Sequence, residues 1–384
     1  MRVRFPTPDL SRVSMRVTFA VWRPCTKVAC TVALVVGIGG CASHPKPGAE
    51  PSLGLSTADA SSRSENLKPA EAVLRTPELT VTRAPWQYGD AVGSLITTPN
   101  YRLYTTVDSD TFLQTLPVFY ERALEQYTTA LAILPQPERK LETFLFGSRR
   151  QWQSKTQEML PDQASMFANL GRGGFTTRGT SVLYYIDRAG PPRDTFAIAA
   201  HEGWHQYTQQ TFKHQLPIWL EEGVATYMEG YRRDADHLPE FNPGSNEERR
   251  QTLRDALQNK QVIALDELLT RTPQSFLNDS KDALLVYYAQ VWALTRFLAE
   301  GENGRYRTPL GQVLLDAAEG RLVGRMAASR FVSRSRRGVS GERIGLAVVQ
   351  EYFNADRDEF EQQYLAFVDG LAQQQPGGEW HRPR

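Results

Sequence analysis

Apolar residues recur along this chain in two rhythms. Between about residues 99 and 190 they come in short runs. Tyr101–Val107 reads as a strand, Leu141–Phe146 as a second, and Thr176–Asp187, behind the Gly171–Gly174 loop, as one or two more. Between the first two, Tyr120, Leu124, Tyr127, Leu131 and Leu134 follow a 4,3,4,3 spacing that lines one face of a helix. From Asp194 onward the helical rhythm dominates, over 194–212, 217–230, 247–259, 282–299, 309–318 and 357–371. Asp194 or Thr195, just after Pro191-Pro192, is the expected cap of the first of these helices. The pattern predicts an α+β body. A small mixed-sheet lobe over 99–193 is followed by a mainly helical lobe over 194–372.

The segments outside that body carry a different signal. Basic residues as far as Lys27 precede a largely apolar run, Val28–Gly40, which is too short to span a bilayer but suits the core of an export signal. Ile38-Gly39-Gly40-Cys41 resembles a bacterial lipobox, so residues 1–40 are expected to be a lipoprotein signal peptide and Cys41 the lipidated N-terminus. Met15 serves equally well as a start, since Arg16, Arg23 and Lys27 still supply the basic region. Residues 42–70 are rich in Ala, Ser, Pro, Gly and charge, and 41–98 is expected to be a flexible, lipid-anchored tether. Residues 373–384 read as a disordered tail.

Composition narrows the function. With 41% hydrophobic and 10% aromatic residues in 384, the chain can bury a sizeable core, which excludes collagen-like and wholly disordered polymers. Residues 1–40 hold six of the 44 basic residues and one of the 43 acidic ones, so a chain from Cys41 has 38 basic and 42 acidic residues, a net charge of −4. That balance argues against nucleic acid as a partner. All three cysteines (Cys25, Cys30 and Cys41) lie at or before the expected cleavage point. A mature fold therefore has no thiol for a disulfide or a metal, and any metal must be held by His and carboxylate.

Such a set is present. His201-Glu202-Gly203-Trp204-His205 is an H-E-x-x-H motif inside a predicted helix. Positions i and i+4 share a helix face, so both imidazoles reach one metal ion, and Glu202, one step round, can take a proton from a water that zinc has acidified. On its own, the same motif also describes two surface histidines beside a solvated carboxylate. The second predicted helix, opened by Pro217, offers a third ligand at Glu221 or Glu222.

His201-Glu202-x-x-His205 followed by Trp219-Leu-x-Glu222-Gly223-x-Ala225 resembles the gluzincin metallopeptidases. More narrowly, it is similar to the peptidase-MA-like family of bacterial envelope lipoproteins. The resemblance covers about residues 99–372, and only its metal motif is specific. It implies a zincin-like fold with the active-site helix between the two lobes, and Zn²⁺ held by His201, His205 and the Glu before Gly, which is Glu222. Glu202 would be the catalytic base, and Glu221 would occupy a variable slot. The chain departs from the pattern in two places. The gap from His205 to Glu222 is sixteen residues, slightly shorter than in the aminopeptidase branch. Thr226 stands where thermolysin-like enzymes carry an Asp that orients a zinc histidine, which leaves the partners of the zinc histidines unassigned.

Several further residues invite a role. Tyr231, His237, Tyr287 and Tyr288 are candidates to stabilise a developing oxyanion, and His214 lies in the loop between the motif helices. Ser181–Asp187 is either an open sheet edge that pairs with peptide or an internal strand. Arg321, Arg325, Arg330, Arg334, Arg336, Arg337 and Arg343, with only Glu342 for local compensation, form either a solvated loop or a dock for anionic polymer or lipid phosphate. The sequence therefore points to a zinc-dependent hydrolase of peptide or cell-wall amides, anchored to the envelope membrane by lipid. The alternative is a non-catalytic envelope lipoprotein that uses the same fold as an adaptor or cell-wall-binding module. Nothing in the sequence sets the oligomeric state.

Overall fold

The computed structural model describes residues 31–34, 79–165, 173–186, 193–233, 239–329, 341–353 and 356–374. Its N-terminal part is a seven-stranded mixed sheet in the order β1-β6-β7-β5-β4-β3-β2. The strands are β1 (Thr31–Leu34), β2 (Thr82–Tyr88), β3 (Ala91–Thr97), β4 (Tyr101–Thr105), β5 (Leu141–Phe146), β6 (Gly173–Thr177) and β7 (Thr180–Tyr184). β4, β5 and β7 run parallel to one another, and the remaining pairs are antiparallel. Between the strands lie α1 (Asp110–Thr129) and α2 (Arg149–Met159). The expected strands at 101–107 and 141–146 are present, and Thr176–Asp187 becomes parts of two strands joined by a tight turn at Arg178-Gly179. The expected helical face runs past the end of α1. Leu131 and Leu134 are buried but lie beyond it.

One boundary is corrected. The expected tether to residue 98 contains the β2–β3 hairpin, so the folded body starts by Thr82. β2 is an exposed edge strand with Pro85 inside it, and proline in an apolar run is a signal against a strand except at an edge. Trp86 pairs with Gly93 and its ring meets Tyr104 and Phe144, which anchors the hairpin to the sheet face. Cys41, the proposed tether over 42–70 and the tail from 375 lie outside the described residues, as does all of 1–40 except β1.

The rest is mostly helical: α3 (Arg193–Thr211), α4 (Ile218–Met228), α5 (Glu247–Gln258), α6 (Leu265–Thr270), α7 (Pro273–Asp279), α8 (Lys281–Glu300), α9 (Arg307–Glu319), α10 (Leu322–Ala328), α11 (Gly341–Phe353) and α12 (Arg357–Gln373). A two-stranded ribbon, β8 (Tyr231–Arg233) with β9 (Pro239–Phe241), interrupts them. The chain is thus α+β, with its sheet first and its helices after. α3 lies between the halves, against β6 and β7 on one side and α1 and α4 on the other. Phe196 through Thr208 are almost all buried, as expected of a helix covered on every face. α8 is buried from Leu284 to Ala299 and is the core helix of the second half. Among the described residues no helix is long and apolar enough to cross a membrane.

Candidate metal centre

The site is built where α3 and α4 cross. His201 and His205 sit one turn apart on α3, with ring centroids 4.8 Å apart and both side chains fully buried. From α4, Glu222 Oε2 lies 3.4 Å from His201 Nε2 and 3.6 Å from His205 Nε2. Among the described residues none of these three atoms has a hydrogen-bond partner, and one ligand atom from each residue falls within 4.8 Å of the others. Buried polar atoms without partners are costly, so three of them converging on one point need an explanation. A zinc ion fits it. Tetrahedral bonds of about 2.0–2.1 Å put neighbouring ligand atoms about 3.3 Å apart. The two nitrogens and one oxygen are a donor set that zinc accepts. The structure therefore brings together the expected trio, and of the two candidate carboxylates it is Glu222 that faces the histidines.

Glu221 turns to a different task. Its Oε1 accepts a hydrogen bond from His205 Nδ1 at 2.8 Å and another from the Thr208 hydroxyl at 2.7 Å. His201 Nδ1 bonds Glu229 Oε1 at 2.8 Å. Each imidazole is therefore oriented by a carboxylate on its far nitrogen, which leaves Nε2 as the metal donor. Glu229 escaped the sequence reading, although it lies seven residues past Glu222 and so on the same helical face. Thr226 is no substitute, because its hydroxyl bonds back to the carbonyls of Glu222 and Gly223.

Two glycines let neighbouring elements close on the site. A Cβ at Gly223 would run into Thr295 Oγ1 and the Val291 carbonyl, so glycine lets α4 lie close on α8 and sets which way Glu222 faces. A Cβ at Gly174 of β6 would sit 3.0 Å from Glu202 Cγ. β6 thus runs directly beside the Glu202 side chain, and Thr176 Oγ1 donates to Glu202 Oε2 at 2.7 Å.

Burial disfavours a charge at each of these groups, and their neighbours decide the outcome. For Glu202 burial prevails over the nearby histidines and the Thr176 bond, and its pKa rises. For Glu222 the two imidazoles that face it, His205 above all, overcome burial and hold it down at about 2. Glu229 is held at about 2 as well, against burial, by Arg249 and His201. His205 is pushed up to about 10, because Glu222 and Glu221 outweigh the burial that opposes its charge. The raised His205 stabilises the fold fully below its unfolded value of 6.5, and this contribution is lost as pH climbs towards 10. The two lowered carboxylates stabilise it fully above 4.5 and lose that contribution as pH falls towards 2. Metal-free protein is therefore expected to melt highest between about pH 4.5 and 6.5 and to lose stability on both sides, in thermal unfolding with chelator present. A melting temperature that rises steadily above pH 6.5 would contradict this. A zinc ion held there would displace the imidazole proton, so the stabilisation it added would grow with pH.

The remaining candidates separate cleanly. Tyr231 packs against Phe119 and Phe196 as a core aromatic. His237 lies outside the described residues. His214 Nδ1 accepts from the Val323 amide at 3.2 Å and ties its loop to α10. Tyr288 places its ring 6.1 Å from that of His201, and Tyr287 is buried with a hydroxyl that has no hydrogen-bond partner, in the field of Glu222. Of the two readings of Ser181–Asp187, the structure shows the internal strand. β7 is internal, paired to β5 and β6, because β6 forms the outer layer and its free side takes β1. Two members of the arginine-rich stretch are compensated. Arg321 pairs with Asp316 and Glu319, and Arg325 with Asp316 and Glu351, while Arg330, Arg334, Arg336 and Arg337 lie outside the described residues. No protein-family model matches the chain and no curated protein matches it in sequence, so what this centre does is read from its own geometry.

Proposed function

We propose that this chain is a zinc-dependent, gluzincin-like hydrolase of peptide or cell-wall amide bonds on a zincin-like fold, held at the bacterial envelope by lipid on Cys41. The observation that carries the reading is the convergence of His201 Nε2, His205 Nε2 and Glu222 Oε2, all buried and without hydrogen-bond partners among the described residues, beside a further buried acid, Glu202, that is not one of them. A purely structural metal site has no use for Glu202. Zinc, when bound, supplies a Lewis acid that acidifies water and polarises a carbonyl oxygen.

The chain's own groups supply the rest. Glu202 takes the proton of the attacking water and delivers it to the leaving amine. Its burial-raised pKa suits both halves of that task better than an ordinary carboxylate would. Thr176, by bonding Oε2, fixes the carboxylate's rotation. Tyr287 is assigned as the donor to the developing oxyanion, since its hydroxyl is buried, unpartnered and kept protonated by burial and by Glu222. The outer side of β6 pairs with β1, which lies within the segment that processing at Cys41 would remove, so a mature chain would offer that side to an extended substrate next to Glu202.

The test is zinc-dependent cleavage of mixed peptide and peptidoglycan substrates by the purified protein. Tyr287→Phe is expected to retain zinc and to lose about 10²–10³ in kcat. Zinc-loaded, folded protein that cleaves neither class would favour the adaptor reading.

A further inference from the structure

Arg249 is buried and has no part in the chemistry above. It sits in the first turn of α5, next to Asn246 at that helix's cap. Its guanidinium grips Glu229 with two bonds, Nη2 to Oε1 at 2.8 Å and Nε to Oε2 at 3.1 Å. Asn246 Nδ2 donates to the same Oε2 at 2.7 Å, and His201 Nδ1 to Oε1 at 2.8 Å. Each carboxylate oxygen thus holds two donors, and the group has no freedom to rotate. Arg249 also lies 5.2 Å over the ring of Tyr288, whose ring in turn meets His201 edge-on at 6.1 Å. His201, Glu229, Arg249 and Tyr288 close a circuit in which every member is buried.

The other imidazole is treated differently. His205 leans on Glu221, whose side chain is 18% exposed and which also accepts from the Thr208 hydroxyl. A solvated carboxylate can stand without a cation, whereas a buried one is stable only when paired and saturated with donors. We propose that Arg249 is a positioning residue for the metal centre. Acting through Glu229, it fixes the His201 ring so that Nε2 is aimed at the metal. α5, which supplies no ligand, then sets the metal affinity of a site made by α3 and α4. This rests on the zinc reading of His201, His205 and Glu222.

The experiment is a zinc competition titration against a chromophoric chelator, run on the purified protein and on Arg249→Met, Arg249→Lys, Glu229→Gln and the Arg249→Met/Glu229→Gln pair. Melting temperatures of each metal-free protein are measured alongside. Arg249→Met is expected to weaken zinc binding by about 10–100-fold, with Arg249→Lys intermediate, because it keeps the charge but not the two-pronged grip. The double variant should bind no more weakly than the worse single one, since the two residues act in series. Cobalt-loaded Arg249→Lys should also show altered visible absorption, a signature of changed ligand geometry. A merely structural ion pair would lower the melting temperature and leave zinc affinity and the cobalt spectrum of the folded protein as in wild type. That result overturns the proposal while the zinc reading stands. Wild-type protein that takes up no zinc would overturn both. If Arg249→Met fails to fold, Arg249→Lys and Glu229→Gln decide the matter.

Discussion

Glu202→Gln is expected to bind zinc as the wild type does and to lose about 10²–10⁴-fold in amide hydrolysis. The two side chains have the same shape. Gln still offers a carbonyl oxygen to the Thr176 hydroxyl, so the bond that orients the group survives. What disappears is the ability to accept a proton. Because Glu202 is fully buried and its burial disfavours the charge, the neutral amide should not lower the melting temperature. Zinc content, thermal unfolding and turnover measured on one preparation separate these effects. A fully active Glu202→Gln protein would refute the general-base role, whatever its metal content.

Glu222→Ala is expected to be the variant that empties the site. A complete zinc site is worth about 10–16 kcal/mol, so one ligand in four is worth roughly 3–4 kcal/mol, or about 10²–10³-fold in affinity. The histidines left behind also lose the anion that favours their convergence. Zinc per chain, by elemental mass spectrometry after dialysis against micromolar chelator, should fall from near one to near zero. Glu221→Ala is the control, because it touches His205 only through Nδ1 and should cost about 10–100-fold. If Glu221→Ala empties the site and Glu222→Ala does not, the ligand assignment is reversed.

The chain announces some of this plainly and hides the rest. The α+β order, the strands at 101 and 141 and the helices at 194 and 217 follow from apolar spacing, which depends on each element's own burial. The β2–β3 hairpin does not follow, since most of β2 faces solvent and Pro85 interrupts its pattern. α2 also went unpredicted, although Ser148 and Gln151 form a capping box that its sequence spells out. β6 was obscured by its glycines, which read as a loop. They are there because Gly174 must clear the Glu202 side chain, a requirement set by a helix twenty-eight residues away in sequence.

At the metal centre the division has one physical cause. His201, Glu202 and His205 belong to a single helix, so their mutual geometry follows from 3.6 residues per turn and is fully specified by sequence. The sequence also limits the possible metal chemistry to His and carboxylate, because no cysteine lies beyond Cys41. Whether Glu221 or Glu222 completes the set is a question about the rotation of one helix against another. Tertiary packing answers it, through Gly223 seated against Val291 and Thr295 of α8. The same holds for Glu229, Arg249 and Thr176, which reach the site from the end of α4, from α5 and from β6. Local periodicity fixes residues within an element, whereas contacts between elements depend on how their side chains interlock, and that exists only once the chain has folded.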